Sequence, residues 1–134
     1  MNNGELALSI RQPGGCSQTI GSGIFATPGT WYHIVGTNNG TTAKVYVDGQ
    51  LRNSGNVDPN YNGTSSGLRI GGEVCCGSNN FPGDIDEVRV WNYARVQNEI
   101  QNDMERILEG NESGLIGYWN FDDGTANDLS LIHI

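Results

Sequence analysis

The stretch TWYHIVGTNNGTTAKVYVDG, residues 30–49, carries the clearest structural signal in the chain. Two runs of alternating apolar and polar residues, Trp31–Thr37 and Ala43–Asp48, flank the dipeptide Asn39-Gly40. Alternation with a period of two indicates a strand with one buried face, and Asn-Gly is a strong hairpin signal. The stretch therefore predicts a β-hairpin in which Val45 and Val47 share the buried face.

The pattern continues on both sides of this hairpin. Lys44 and Tyr46 are expected on the opposite face of the second strand, and Asp48-Gly49 predicts a turn into the short strand QLRNSG, residues 50–55. Further strands are predicted at ELALSIRQ (5–12), LRIGGE (68–73) and GLIGYWNF (114–121). Between the first of these and the hairpin, QPGGCSQTIGSG (12–23) predicts a glycine-rich loop with room for a short strand. Six or seven short strands are typical of a β-sandwich.

One segment has a helical pattern. In VQNEIQNDMERILEGN, residues 96–111, an apolar stripe runs through Ile100, Met104, Ile107 and Leu108 at i, i+4, i+7 and i+8. Gly110 stands where a C′ glycine would end the helix. We expect one short helix near residues 97–109, lying against a sheet.

Composition limits the classes of function. The chain has 134 residues, enough for one domain, and a formal net charge of −8 disfavours binding to nucleic acid. No apolar run reaches the roughly 18 residues of a membrane span, and the N-terminus lacks the features of a signal peptide. The 20 glycines favour tight turns between short strands. These counts predict a soluble module, or a piece of a longer secreted protein, without membrane insertion.

The three cysteines, Cys16, Cys75 and Cys76, leave two alternatives open. Adjacent cysteines can hardly close an unstrained bridge, so a disulfide would join Cys16 to one of the other two; three free thiols are equally compatible with the sequence. Sequons occur at Asn39, Asn62 and Asn111, where we favour turns over glycosylation.

The segment FPGDIDEVRVW, residues 81–91, places Asp84, Asp86 and Glu87 within four residues on a predicted strand. Such a cluster can be a catalytic pair, a metal site or the polar side of a strand. A bulge at Asp86-Glu87 would let Ile85, Val88 and Val90 all point inward. Glu87 and Arg89 would then form a weak pair on the outer face.

Four segments together resemble a known family: PGTWYHIVGTNNGTTAKVYVDGQL, LRIGG, FPGDIDEVRVWNYARVQNEI and GLIGYWNFDDG. In this order they are similar to the laminin G-like and pentraxin-like jelly rolls of the concanavalin A-like lectin/glucanase superfamily. The resemblance covers Pro28 to Gly124 and implies an all-β antiparallel sandwich. Only some thirty residues precede Trp31, so residues 1–124 are expected to be a partial domain without its first strands. Residues 125–134 end in SLIHI, which resembles translated sequencing-adapter read-through, and we expect a non-native tail.

The same resemblance bears on catalysis. Glucanases of the superfamily carry E-x-D-x-x-E on one strand, whereas this chain has Asp84 at the first position and Arg89 at the last. Arginine cannot act as the general acid, so we expect no enzyme activity and no catalytic residues. His33 is expected to be a packed or hydrogen-bonded strand residue.

For binding, the resemblance implies calcium held by loop oxygens. Glu73 matches a position where pentraxins begin a calcium-binding loop, and Asn79 and Asp84 could add ligands to a Ca²⁺ site. Tyr61 and Asn80 are the candidate contacts for a carbohydrate or protein ligand. The expected function is a non-catalytic extracellular or cell-surface recognition or adhesion module whose partner is a glycan or an extracellular protein. The alternative is a structural spacer, or an accessory domain of a secreted multidomain protein or glycoside hydrolase.

Overall fold

The computed structural model describes residues 4–11, 17–59, 68–72 and 80–130. In chain order the elements are β1 (Glu5–Arg11), β2 (Ser17–Phe25), β3 (Ile34–Asn38), β4 (Thr42–Val47), β5 (Gln50–Asn56), β6 (Val88–Trp91), α1 (Gln97–Asp103) and β7 (Leu115–Trp119). All strand pairs among them are antiparallel. The chain forms two compact units, Met1–Tyr61 with Tyr93–Leu108, and Asn62–Asn92 with Glu109–Ile134. The predicted all-β architecture with one short helix is confirmed.

The β3–β4 hairpin forms around the predicted turn. The backbone N–H of Asn39 donates to the Thr42 carbonyl at 3.2 Å, and Gly40 takes a left-handed φ of +95°. The first strand begins at Ile34 instead of Trp31, whose side chain is 65% exposed. His33 lies just before the strand, where its N–H donates to Asp48 Oδ1 at 2.9 Å.

The β4–β5 turn also follows the sequence prediction. Val47 pairs with Gln50 across a two-residue loop in which Asp48 has a φ of +52° and Gly49 a φ of +71°. Positive φ at both central residues is the type I′ arrangement, whose twist matches the flanking strands.

In the first unit, β1–β2 packs on the β3–β4–β5 sheet. The core consists of Ile20, Ala43, Val45 and Val57, with Leu8 and Ile10 packed against it. The short strand allowed for within residues 12–23 is longer than expected, because the chain from Ser17 onward belongs to the nine-residue β2. Gly21 of β2 allows the Glu5 side chain to pack closely, because a Cβ at Gly21 would lie 2.2 Å from Glu5 Oε1. Likewise a Cβ at Gly36 would lie 2.7 Å from Leu8 Cδ1, so glycine here permits the layers to approach.

The opposite face of β4 is also buried, since Tyr46 is only 3% exposed. Helix α1 contacts this sheet at the β4–β5 turn, where Gln101 Nε2 donates to the Gly49 carbonyl at 2.9 Å. The expectation that the helix lies against a sheet is confirmed.

Helix α1 is shorter than predicted and ends at Asp103. Beyond it the Arg106 N–H donates to the Asp103 carbonyl at 3.2 Å, a turn and not a helical bond. Ile107 is 75% exposed, so the predicted stripe is wrong at this residue, whereas Ile100 and Leu108 are buried as the stripe predicts. Gly110 is not a helix cap; it has a φ of +88°, and a Cβ there would lie 2.3 Å from the Leu129 carbonyl oxygen.

The second unit is built on the β6–β7 pair, in which Val88 lies opposite Trp119. The ladder starts at Val88, so the predicted bulge at Asp86-Glu87 is wrong. Glu87 instead takes a left-handed φ of +53° before the strand, and the register shifts at Val90/Trp91. The strand predicted at residues 68–73 reduces, in its described part, to a single bridge between Gly72 and Asn80. No helix among the described residues is long and apolar enough to cross a membrane.

Candidate functional site

Only two of the sequence-predicted site residues fall in the described part of the chain. Asn80 and Asp84 are both exposed, at either side of the turn at residues 81–83. The other candidates lie outside the described residues: Tyr61, Glu73, Asn79 and the cysteines Cys16, Cys75 and Cys76. Among the residues that are described, no group of three or more His, Cys, Asp or Glu side chains could hold a metal ion.

A short backbone pairing brings two loop segments of the second unit together. Gly72 and Asn80 form an antiparallel bridge, and the Phe81 N–H donates to the Gly71 carbonyl at 2.8 Å. Gly71 has a φ of +78°, which a residue with a side chain rarely adopts. The pairing sets residues 68–71 beside residues 81–85.

These segments and the end of β7 enclose an open cleft of about 580 Å³, which we call the aromatic cleft. The residues that give it its character are Phe81, Trp119, Phe121, Ile70, Ile85 and Arg69. Three of them are aromatic, and Phe81 is 56% exposed. An apolar concave surface with aromatic walls and polar groups at its edge is typical of a ligand site.

Two of the aromatic rings lie over glycines two residues away in the chain. A Cβ added at Gly83 would lie 2.8 Å from Phe81 Cε1, and one at Gly117 would lie 2.7 Å from Trp119 Cη2 and Cζ3. Any side chain at either glycine would force its ring to move. Gly83 and Gly117 therefore hold open the positions that the two rings occupy in the aromatic cleft.

The β6–β7 pair and the residue before it carry a polar cluster of Glu87, Arg89 and Tyr118. Tyr118, 1% exposed, donates its hydroxyl to the Glu87 carboxylate at 3.1 Å from either oxygen. Arg89 Nη2 lies 2.5 Å from Glu87 Oε2, and its guanidinium carbon lies 5.7 Å from the centre of the Tyr118 ring. The expected pair between Glu87 and Arg89 forms, but the expectation of an outer face is wrong, because the Arg89 side chain is only 10% exposed. Burial strengthens such a pair and makes the loss of either partner costly.

The three carboxylates of the 84–87 segment therefore have different surroundings. Glu87 is bound to Arg89 and Tyr118, whereas Asp84 and Asp86 are exposed. Asp86 Oδ1 accepts the Glu87 N–H at 2.8 Å, which supports the left-handed turn at Glu87. Only Asp84 faces solvent beside the aromatic cleft, next to the lining residues Gly83 and Ile85.

The outer edge of β7 is covered by residues 128–130. The Tyr118 N–H donates to Asp128 Oδ1 at 2.9 Å, and the Leu129 N–H donates to the Tyr118 carbonyl at 2.7 Å. Ser130 is buried, and its N–H also donates to Asp128. In the loop before this segment, hydrogen bonds from Thr125 lower the pKa of Asp123. The part of the expected tail that the structure describes is thus in contact with β7.

Sequence reasoning missed the aromatic cleft. It placed Trp119 and Phe121 in the predicted strand 114–121 without a binding role, and it gave no role to Phe81. The signal lay in the spacings Phe81-Pro82-Gly83 and Gly117-Tyr118-Trp119, where a glycine two residues from an aromatic leaves space for the ring on the same side of the chain. This pattern becomes informative only once the two segments are known to be neighbours.

Similar proteins were found among both sequences and solved structures. The chain is 34% identical over 83 residues to Pappalysin-1 of Mus musculus and 32% identical over 83 residues to Pappalysin-1 of Homo sapiens. The matched part is 58% of this chain, which spans only about 5% of the length of these relatives.

Among solved structures, an S-layer domain-containing protein from Clostridium thermocellum ATCC 27405 matches with a TM-score of 0.50 and 21% identity. The match covers 75% of this chain and 63% of that one, and at this identity it supports the fold alone. The family model Laminin_G_3, described as the concanavalin A-like lectin/glucanases superfamily, matches residues 1–101. The chain therefore belongs to this laminin G family and has the concanavalin A-like β-sandwich fold, as its motifs indicated.

Proposed function

We propose that the chain is a non-catalytic, extracellular recognition module that binds carbohydrate in the aromatic cleft. Laminin G-like domains are in general non-catalytic binding or structural modules of extracellular proteins. The observation that carries the proposal is the exposed Phe81 ring beside Trp119 and Phe121 in one open cleft.

The chemistry of the cleft suits a sugar ring. Aromatic rings pack against apolar C–H faces, while hydroxyl groups require acceptors within hydrogen-bond reach. The exposed side chains of Asn80 and Asp84 flank the turn that carries Phe81 and supply amide and carboxylate oxygens. A neutral oligosaccharide meets both requirements, whereas a purely apolar ligand would leave these polar groups unused.

A glycan array of neutral oligosaccharides, followed by calorimetry on the best binder, tests this proposal. Phe81→Ala should raise the Kd about tenfold or more, equivalent to about 1.4 kcal/mol, through loss of one aromatic contact. Trp31→Ala is the matched control, since Trp31 is also an exposed aromatic residue, 65% exposed against 56% for Phe81, but lies in the first unit. Absence of wild-type binding, or an unchanged Kd in Phe81→Ala, would overturn the proposal and leave the structural spacer.

Calcium assistance is a separate part of the proposal. Asp84 is the described candidate ligand beside the cleft, and Ca²⁺ favours carboxylate and amide oxygens. Thermal melting with calcium and with a chelator should show a higher Tm with calcium, and Asp84→Asn should remove the difference. Asp86→Asn serves as the control. Equal Tm values for the wild type in both buffers would exclude the calcium site without affecting the carbohydrate proposal.

A further inference from the structure

The first unit contains a second cleft of different chemistry. It has a volume of about 210 Å³, room for about seven waters at about 30 Å³ each. The β3–β4 hairpin and residues 94–97 form its walls, and Thr37, Asn39, Thr42, Lys44, Arg95 and Gln97 supply its polar groups. None of the residues that line this polar cleft carries a carboxylate. In a chain with 15 acidic and seven basic residues, a donor-lined cleft without an acid is unexpected.

Of the two cations that line the polar cleft, Lys44 is the one without an ion-pair partner among the described residues. It lies opposite Thr37 in the hairpin register and on the same face of β4 as Thr42 and Tyr46. Its side chain is partly buried and forms no ion pair with any residue the structure describes.

Arg95, the other cation of the polar cleft, is already engaged. Its side chain is 8% exposed and pairs with Asp103, with Glu99 Oε2 3.4 Å from its Nε. Its Nη2 also donates to the Glu99 carbonyl at 3.2 Å. Arg95 therefore anchors the start of α1, and Lys44 remains the contact for a ligand charge.

Asn39, in the turn of the hairpin, also lines the polar cleft. Its Oδ1 accepts three hydrogen bonds within the turn, from the Thr41 N–H and hydroxyl, both at 3.1 Å, and from the Thr42 N–H at 2.8 Å. Three donors fix the orientation of the amide, so the Nδ2 group is the part left for a ligand. The turn that closes the hairpin thus also orients a donor beside Lys44.

We propose that the polar cleft binds an anionic oxygen group, a carboxylate, sulfate or phosphate, through the Lys44 ammonium and the amide nitrogens of Asn39 and Gln97. Charge-assisted hydrogen bonds of this kind are short and about twice as strong as neutral ones. The net charge of −8 does not prevent binding, because charges more than about 8 Å away are largely screened at physiological ionic strength. The proposal does not rest on the aromatic cleft.

NMR titration of the full chain at a constant, physiological ionic strength tests this site, with sodium glucuronate, inorganic sulfate, inorganic phosphate and neutral glucose as separate probes. A saturable response to at least one anion, with shifts at Thr37, Asn39 and Lys44 and none from glucose, is expected. A response to glucuronate alone identifies an acidic sugar as the ligand class, and a response to all three anions identifies the anionic group itself. No saturable response, or shifts confined to other residues, would overturn the proposal.

Variants separate this site from general electrostatics. Lys44→Gln should raise the Kd at least tenfold, Lys44→Arg should restore part of the affinity, and Phe81→Ala should change nothing. Arg52→Gln, which removes an exposed cation of β5, is the matched control and should stay within twofold of the wild type. A spectrum with native dispersion shows that each variant is folded. Equal losses in Lys44→Gln and Arg52→Gln would contradict a site in the polar cleft.

Discussion

The β3–β4–β5 sheet of the first unit and the β6–β7 pair of the second are both antiparallel, but different contacts hold them. On β4, Ala43 and Val45 are completely buried and pack on Ile20 and Val57. On β6–β7 the central contacts are polar: Tyr118 binds the Glu87 carboxylate, which also pairs with Arg89. Apolar burial dominates the first sheet, and a partly buried charge network dominates the second.

The comparison shows which kind of contact a local pattern can predict. Apolar alternation on β4 specifies a buried face whatever lies opposite, because burial is non-directional. The Glu87–Tyr118 bond joins residues 31 positions apart and needs defined geometry at both ends. The candidate ligand clefts follow the same division, with an aromatic cleft in the second unit and a polar cleft in the first.

Truncation of the apolar core of the first unit should have the largest effect on stability. Ile20 is 4% exposed and lies among Ala43, Val45 and Val57. Ile20→Ala should lower the free energy of unfolding by about 2–5 kcal/mol, because it leaves a cavity in the core. Urea denaturation measures the loss.

Ile107→Ala is the matched control for this prediction, since it removes the same atoms from a side chain that is 75% exposed in the same unit. Its cost should stay within about 0.5 kcal/mol. A loss as large as that of Ile20→Ala would mean that Ile107 is packed, as the helical stripe predicted from the sequence had required.

The polar cluster of the second unit gives the next largest effect. Glu87→Gln keeps the shape of the side chain but removes the negative charge that pairs with the largely buried Arg89. Breaking a fully buried pair costs about 3–5 kcal/mol, and because Glu87 is 34% exposed we expect a smaller loss of about 1–2 kcal/mol. Chemical denaturation of Asp86→Asn, which keeps the Oδ1 acceptor for the Glu87 N–H, provides the control. Equal stabilities of the two variants would show that the network contributes nothing beyond the turn.

The sequence predicted those parts of the molecule that are specified locally. Asn39-Gly40 and Asp48-Gly49 place the two turns, and the family motifs indicated the sandwich before any coordinates. Strand β2 is longer than the short strand that the sequence allowed for, because its glycines resemble loop composition, whereas Gly21 is needed for close contact with Glu5. The predicted helix is longer than α1 because the spacing of apolar residues does not reveal the turn at Asp103–Arg106.

The candidate sites were less accessible to sequence reasoning. Asn80 is a candidate from its loop alone, but Phe81 and Trp119 line one cleft although they are 38 positions apart in the chain. Lys44 is a candidate ligand contact because it shares a cleft with residues 94–97, and the sequence alone does not predict which segments are neighbours in the fold. In both clefts the chemistry comes from pairs of segments distant in the chain.

The smallest effect is expected at the start of α1, and it should depend on pH. The Val96 N–H, which donates to Glu99 Oε2 at 2.9 Å, is the main cause of a lowered pKa of Glu99, and the Tyr93 hydroxyl adds a second bond at 3.0 Å. A carboxyl whose pKa is lower in the native state stabilises it above the unfolded pKa of 4.5 and loses this effect as the pH falls through the folded pKa. Wild type should therefore exceed Glu99→Gln in stability at pH 7, and the difference should shrink in urea melts below pH 4.5. A difference that stays constant across this range would contradict the assignment and place the role of Glu99 in packing instead of charge.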